Sequence, residues 1–134
     1  MKKMVSFLKR STIRTIYSRI ARNRMHFRHL ESGRQVSLDA DPLFSSSRLL
    51  VANFSAARHL LQRGIRTLTS GIGLAPVIVF SAGEMTEGGL SESEERLLLD
   101  LGYEACAHYV AAVAEDLSDG GVLEVIKGRS FLRA

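Results

Sequence analysis

The 134-residue sequence predicts a single α/β domain of the α+β kind, with a mixed sheet built from an N-terminal β-meander and following βαβ units. Three observations carry this. Residues 13–38 hold three short runs rich in β-branched and aromatic residues, or alternating apolar with polar, separated by turn signals. Residues 53–64 and 91–102 show helical spacing of apolar residues behind residues that cap helices. Between them, Pro76-Val77-Ile78-Val79-Phe80 is a continuous apolar run, as expected of a strand buried on both faces. A meander followed by alternating helices and strands gives a sheet with helices packed against it.

Each element follows in order. In residues 1–10, Met1, Met4, Val5 and Leu8 fall at i, i+3, i+4 and i+7, with Lys2, Lys3, Lys9 and Arg10 beside that stripe. Residues 1–12 are therefore expected as a basic amphipathic segment, too short to hold a helix in water without a surface to fold against. Residues 13–20 form a first strand, and Arg22-Asn23 a tight turn, since Asn tolerates a left-handed backbone. Met25, Phe27 and His29 alternate along a second strand, Glu31-Ser32-Gly33-Arg34 turns the chain, and Val36 and Leu38 alternate along a third.

Residues 39–47 are a polar connection, and Leu49-Leu50-Val51-Ala52 reads as a short further strand. Asn53 or Ser55 caps a helix carrying Ala56, Ala57, Leu60 and Leu61, with Gly64 as its terminator. The strand at 76–80 leads through a loop to Ser91-Glu92-Ser93-Glu94, a capping box that starts a second helix with Leu97, Leu98 and Leu101 on its apolar side and Gly102 as its stop. Tyr109 to Val113 reads as a strand, though the alanines around it also suit a helix. Gly120-Gly121 breaks the chain before a last short strand at 122–126, and residues 127–134 are expected as a flexible basic tail. The folded domain is thus 13–126.

The order of elements is that of actin-like and ribonuclease-H-like folds. The apolar strand 76–80, then Gly88-Gly89-Leu90-Ser91-Glu92-Ser93-Glu94-Glu95-Arg96, then Leu101-Gly102-Tyr103-Glu104-Ala105, resembles the MreB family of bacterial actin homologues. The basic and apolar residues 1–10 are similar to the membrane-binding helix of some members. The resemblance implies a cell-shape or cytoskeletal setting. It departs at Tyr17-Ser18-Arg19-Ile20-Ala21-Arg22-Asn23-Arg24, where that family places a phosphate loop with an acid and a glycine. Neither is present, so no nucleotide cofactor is expected. Ribonuclease H chemistry is excluded because no Asp or Glu lies in residues 13–30 to hold two metals.

Other chemistry is also sparse. Ser70-Gly71-Ile72-Gly73 lacks the Lys-Ser/Thr of a P-loop. His26, His29, His59 and His108 have no zinc-like spacing, and Glu84 and Glu87 read as a solvated loop. The lone Cys106 fits a reducing compartment and reads as a small buried hydrophobe rather than a nucleophile paired with His108. There is no run of about 20 apolar residues and no secretory signal, so a cytoplasmic protein, peripheral to the inner membrane at most, is expected.

Charge is the distinctive feature. Residues 1–34 carry ten Lys or Arg against Glu31 alone, and residues 84–119 carry ten Asp or Glu against Arg96 alone. The sequence therefore points to a non-enzymatic interaction domain. Its expected contact residues are Lys2, Lys3, Phe7, Leu8, Lys9 and Arg10 in the segment, and Arg22, Arg24 and Arg28 on the meander face that carries His26. The expected partners are an acidic protein or a second copy, or an anionic membrane surface. A nucleic-acid-binding module using the same arginines is the alternative; it lacks the interleaved exposed aromatics on which single strands stack.

Overall fold

A computed structural model of the chain describes residues 14–69, 75–83 and 89–133. The basic segment 1–12, the Ser70 to Gly73 stretch and Glu84 and Glu87 lie outside these residues. The described chain runs β1 (Thr15–Ala21), β2 (Arg24–His29), β3 (Gln35–Asp39), α1 (Phe54–Leu68), β4 (Val77–Ser81), α2 (Glu92–Glu104), β5 (Tyr109–Val113) and α3 (Asp119–Arg133). The five strands form one mixed sheet in the order β3-β2-β1-β4-β5. β1 pairs antiparallel with β2 and parallel with β4, and β4 pairs parallel with β5.

The meander forms as its turn chemistry requires. Ala21 pairs with Arg24, leaving Arg22-Asn23 as a two-residue hairpin loop in which Asn23 takes φ 55. Gly33 takes φ 75 in the second turn, where a side chain would be strained. The period-2 pattern then sorts residues between the faces. Ile16, Ile20, Met25, Phe27, Ile78, Phe80, Val110 and Ala112 join Ala57, Leu60, Leu61, Leu98 and Leu101 beneath α1 and α2. Tyr17, Val79 and Ala111 meet Val122 of α3 on the opposite face. The protein is thus three layers, with the larger core under α1 and α2. Each fully buried Phe or Leu there contributes about 1.5–3 kcal/mol.

Several boundaries differ from the expectation, each for a packing reason. Residues 49–52 form no strand. They belong to a loop folded on itself by its serines: the Ser46 hydroxyl accepts from Leu49 N–H at 2.9 Å, and Phe44 C=O accepts from Asn53 N–H at 2.9 Å. Gly64 does not end α1, which is capped by Asn53 and runs to Leu68. A Cβ at Gly64 would lie 2.3 Å from the Phe27 ring, so the glycine lets helix and sheet approach. Gly102 does the same within α2, facing Val110, and the chain turns only at Cys106, with φ 68. Cys106 is exposed, not buried.

The stretch 122–126 is helical rather than a strand. Val122, Val125 and Ile126 recur at i, i+3 and i+4 and face the sheet, while the Ser118 hydroxyl accepts from Gly121 N–H at 3.2 Å at the helix start. α3 continues through residue 133, across the stretch expected as a tail. The expected capping box is present: Ser91 Oγ accepts from Glu94 N–H, and the Glu94 carboxylate accepts from Ser91 N–H.

Gly64→Ala is expected to destabilise the domain by about 1–3 kcal/mol through overpacking against Phe27, reversing the usual gain of alanine in a helix. A urea-denaturation comparison of the two proteins checks the sign.

Candidate functional site

In open α/β sheets, ligands meet the carboxyl ends of strands where the order reverses. Here β1 leads outward to β2 and β3 while β4 and β5 lie on its other side, so the reversal falls between β1 and β4. Two surfaces meet there, one on each face of the sheet.

On the α1/α2 side a groove of about 160 Å³ opens beyond β4. Leu49, Leu50 and Val51 form one wall, Ala82 the floor, and Leu90, Leu97 and Leu98 the other wall, with Ser93 and Glu94 at the rim. The serine-folded loop positions the first wall. Asn23 ties that loop to the β1–β2 hairpin: its side-chain oxygen accepts from Phe44 N–H at 3.0 Å and Ser45 N–H at 2.7 Å. Leu49 is 57% exposed, so the groove carries apolar surface into solvent. Glu94 is the acidic residue at its rim, whereas Glu104, at the other end of α2, lies 3.5 Å from Arg58 Nη1 through its Oε2.

On the opposite side lie the arginines that the sequence singles out, and most are paired. Arg19 Nε is 2.9 Å from Asp116 Oδ1, and Arg24 Nε is 3.4 Å from Asp39 Oδ1. Arg28 Nε is 2.6 Å from Asp119 Oδ1, its Nη2 donates to Leu117 C=O at 3.0 Å, and its guanidinium lies 4.7 Å from the Tyr17 ring centroid. Tyr17 Oη in turn accepts from Leu117 N–H at 3.0 Å. Arg28 is therefore a clamp on the start of α3 rather than an outward contact. Arg22 sits exposed in the hairpin loop, not on the strand face, and makes no ion pair among the described residues. His26 bridges Ser37 Oγ at 2.7 Å and Gln35 Oε1 at 3.0 Å on the same face. Lys2, Lys3, Phe7, Leu8, Lys9 and Arg10 lie outside the described residues.

The pairing matches the arithmetic of the whole chain. Lys2, Lys3, Lys9 and Arg10 carry the entire net charge of +4; beyond residue 10 there are 14 basic and 14 acidic residues.

One constellation at the far end of the sheet has the residue types of hydrolytic chemistry. Ser32 Oγ is 2.7 Å from His29 Nδ1, and His29 Nε2 is 3.5 Å from Glu31 Oε1. Among the described residues of this turn no oxyanion donor accompanies it, as the backbone N–H groups are committed. Ser32 N–H donates to His29 Nδ1, Gly33 N–H to His29 C=O, and Arg34 N–H to Ser32 Oγ. Glu31 also accepts from Thr15 N–H at 2.7 Å. The cluster locks the β2–β3 turn to the start of β1. Burial lowers the His29 pKa, Glu31 opposes that, and Arg14 and Arg34 add to it.

Among the described residues no helix is long and apolar enough to cross a membrane. The chain is 39% identical over 124 residues to the uncharacterized protein YjaA of Escherichia coli (strain K12), a match covering 84% of this chain and 96% of that protein. No family model matches the chain, and no solved structure matches it.

Three expectations follow. Arg28→Ala should cost about 1–3 kcal/mol in urea denaturation and speed amide exchange at residues 119–126, because a charged hydrogen bond is lost. Arg24→Ala should change stability by less than about 0.5 kcal/mol, since its pair is exposed. Because the folded-state pKa of His29 lies below its ordinary value near 6.5, its contribution is full above that pH and is lost as pH falls below it. A plot of Tm against pH should therefore slope downward on acidification from pH 7, and His29→Gln should flatten the slope.

Proposed function

We propose, for a chain that belongs to the family of Escherichia coli YjaA, the role of a non-enzymatic interaction domain that engages an acidic surface through residues 1–10. The observation that carries this is the separation of charge. Beyond residue 10 bases and acids balance, and the arginines of the sheet face sit in ion pairs with Asp39, Asp116 and Asp119. The net positive charge, and with it the capacity to attract an anionic partner, resides in Lys2, Lys3, Lys9 and Arg10. Phe7 and Leu8 lie among those cations in the sequence and supply apolar area for the same contact. The resemblance to MreB proteins adds a cytoskeletal setting to this reading, and the single cysteine agrees with a cytoplasmic one.

The nucleic-acid alternative draws on the strand arginines, and their pairing favours the segment instead. The experiment is co-sedimentation of the full chain with vesicles containing phosphatidylserine, run beside binding to a polyglutamate probe. Replacing Lys2, Lys3, Lys9 and Arg10 together with alanine should weaken binding on the order of a thousandfold, from about 1 kcal/mol per cation near an anionic surface. Arg24→Ala should leave it unchanged. Equal losses from both variants, or tight oligonucleotide binding with a steep salt dependence that Arg24→Ala weakens, would move the function to the sheet face.

A further inference from the structure

We infer that the open end of the sheet face beside α3 is a binding site for a small phosphate monoester, built by Arg19, Arg24 and Ser37 over Ala21, with His26 as its wall. The site lies wholly in the described residues and does not depend on residues 1–10.

Strand register places the site. On this face the sheet presents transverse rows of side chains. Tyr17, Val79 and Ala111 make one row, which packs with Val122 of α3. The next row, toward the carboxyl end of β1, is Ser37, His26, Arg19 and Ser81 on β3, β2, β1 and β4. All four are polar, so this row offers α3 no apolar seat. A concavity of about 460 Å³ remains there, lined by Arg19, Ala21, Arg24, His26 and Ser37. That volume suits a small ligand. It lies at the carboxyl end of β1, beside the reversal of strand order, where sheets of this kind meet ligands.

The lining is cationic and ordered. It holds two guanidinium groups and no carboxylate. Asp116 and Asp39 meet those groups from outside the concavity, each at Nε. Neither guanidinium makes a further hydrogen bond among the described residues, so the Nη groups of both remain as donors. Ser81 Oγ donates to Glu115 C=O at 2.8 Å and lies 3.3 Å from Asp116 Oδ1, which steadies the carboxylate behind Arg19. His26 is held between Ser37 Oγ and Gln35 Oε1, so its ring is a fixed wall. Arg24 is diagonal to Arg19 across the β1–β2 pair, a spacing of about 7–8 Å that long side chains bridge. Ala21 pairs with Arg24 and adds only a methyl group to the floor. A phosphate monoester has three terminal oxygens and can take a fork from each arginine with one oxygen shared. A carboxylate has two, and one fork fills it. The exposed pairs with the aspartates are weak, so a dianion reorients these side chains at little cost. The lining holds no Phe, Tyr or Trp, which favours a polar body such as a sugar over a nucleobase that needs a stacking surface.

The test is an amide-resolved NMR titration of the full chain with a hexose monophosphate. Inorganic phosphate, the free hexose and the matching uronate, which carries a carboxylate instead, are titrated beside it. The expected result is saturable shifts at residues 19–26 and at Ser37. The hexose monophosphate should bind more tightly than inorganic phosphate, the uronate at least about tenfold more weakly, and the free hexose not at all. Arg19→Lys and Arg24→Lys should each weaken binding by about tenfold or more, because a point charge replaces a fork. Ala21→Leu should abolish binding by filling the floor while every charge stays in place. If Ala21→Leu lowers the urea midpoint, Arg24→Lys decides, since its pair is exposed and its loss hardly changes stability. Shifts that do not saturate, equal binding of the uronate, or an affinity that both lysine variants leave unchanged overturns the inference. So does a chain that ignores the hexose monophosphate and binds an oligonucleotide through the same arginines, which would make this face a nucleic-acid surface. Neither result bears on the vesicle and polyglutamate assays, which read residues 1–10.

Discussion

The position of β1 is the constraint on which the other elements depend. It is hydrogen-bonded on both edges, antiparallel to β2 and parallel to β4, and both of its faces are covered. Ile16 and Ile20 belong to the core beneath α1 and α2, while Tyr17 lies under α3. A shift of one residue would exchange these faces, placing Tyr17 and Arg19 in the larger core and the isoleucines among the ion pairs. The register is held at both ends by side chains. Asn23 fastens the hairpin at the carboxyl end to the loop at 44–45, and Glu31 accepts the Thr15 N–H at the amino end. Between the phenylalanines that flank it, Phe27 and Phe80, Ser18 is fully buried and its hydroxyl has no hydrogen-bond partner among the described residues. A small residue fits there, at a cost in polar burial of about 1–3 kcal/mol.

The arginines illustrate how tertiary structure reassigns charge. In sequence, Arg19, Arg24 and Arg28 belong to one basic cluster. Their partners come from 15 to 97 residues away, on β3, the loop after β5 and the start of α3. The exposed pairs contribute little stability. Arg28 differs because its side chain is only 22% exposed and it holds three separate groups, so it links the sheet to a helix that otherwise rests on a small apolar cluster. A face that looks like a binding surface in one dimension is in three dimensions a fastening for α3.

Much of the fold was legible because local signals and burial agreed. The meander, the apolar β4 and the capping box at Ser91 follow from period-2 alternation, Asn at a left-handed turn and reciprocal capping. Three things were hidden, each by a contact distant in sequence. Gly64 and Gly102 read as helix stops, yet they mark the places where Phe27 and Val110 press against a helix. Leu49 to Val51 reads as a strand because apolar runs do not reveal that Ser45 and Ser46 have already folded the preceding chain. The 122, 125, 126 spacing is present in the sequence, but Gly120-Gly121 reads as a break rather than as a helix start. The groove shares this fate: its walls come from residues 49–51 and 90–98, and nothing local joins them.

The balance of charge in the folded body bears on how the protein behaves in concentrated solution. Proteins near zero net charge lose the mutual repulsion that keeps them dispersed. With the bases and acids beyond residue 10 equal in number, that repulsion at neutral pH comes from four cations in the first ten residues. The same cations that mark the segment for an acidic partner therefore set the colloidal stability of the whole chain. Shortening the chain there, or covering those cations with a partner, would bring its isoelectric point toward neutrality and its solubility toward a minimum.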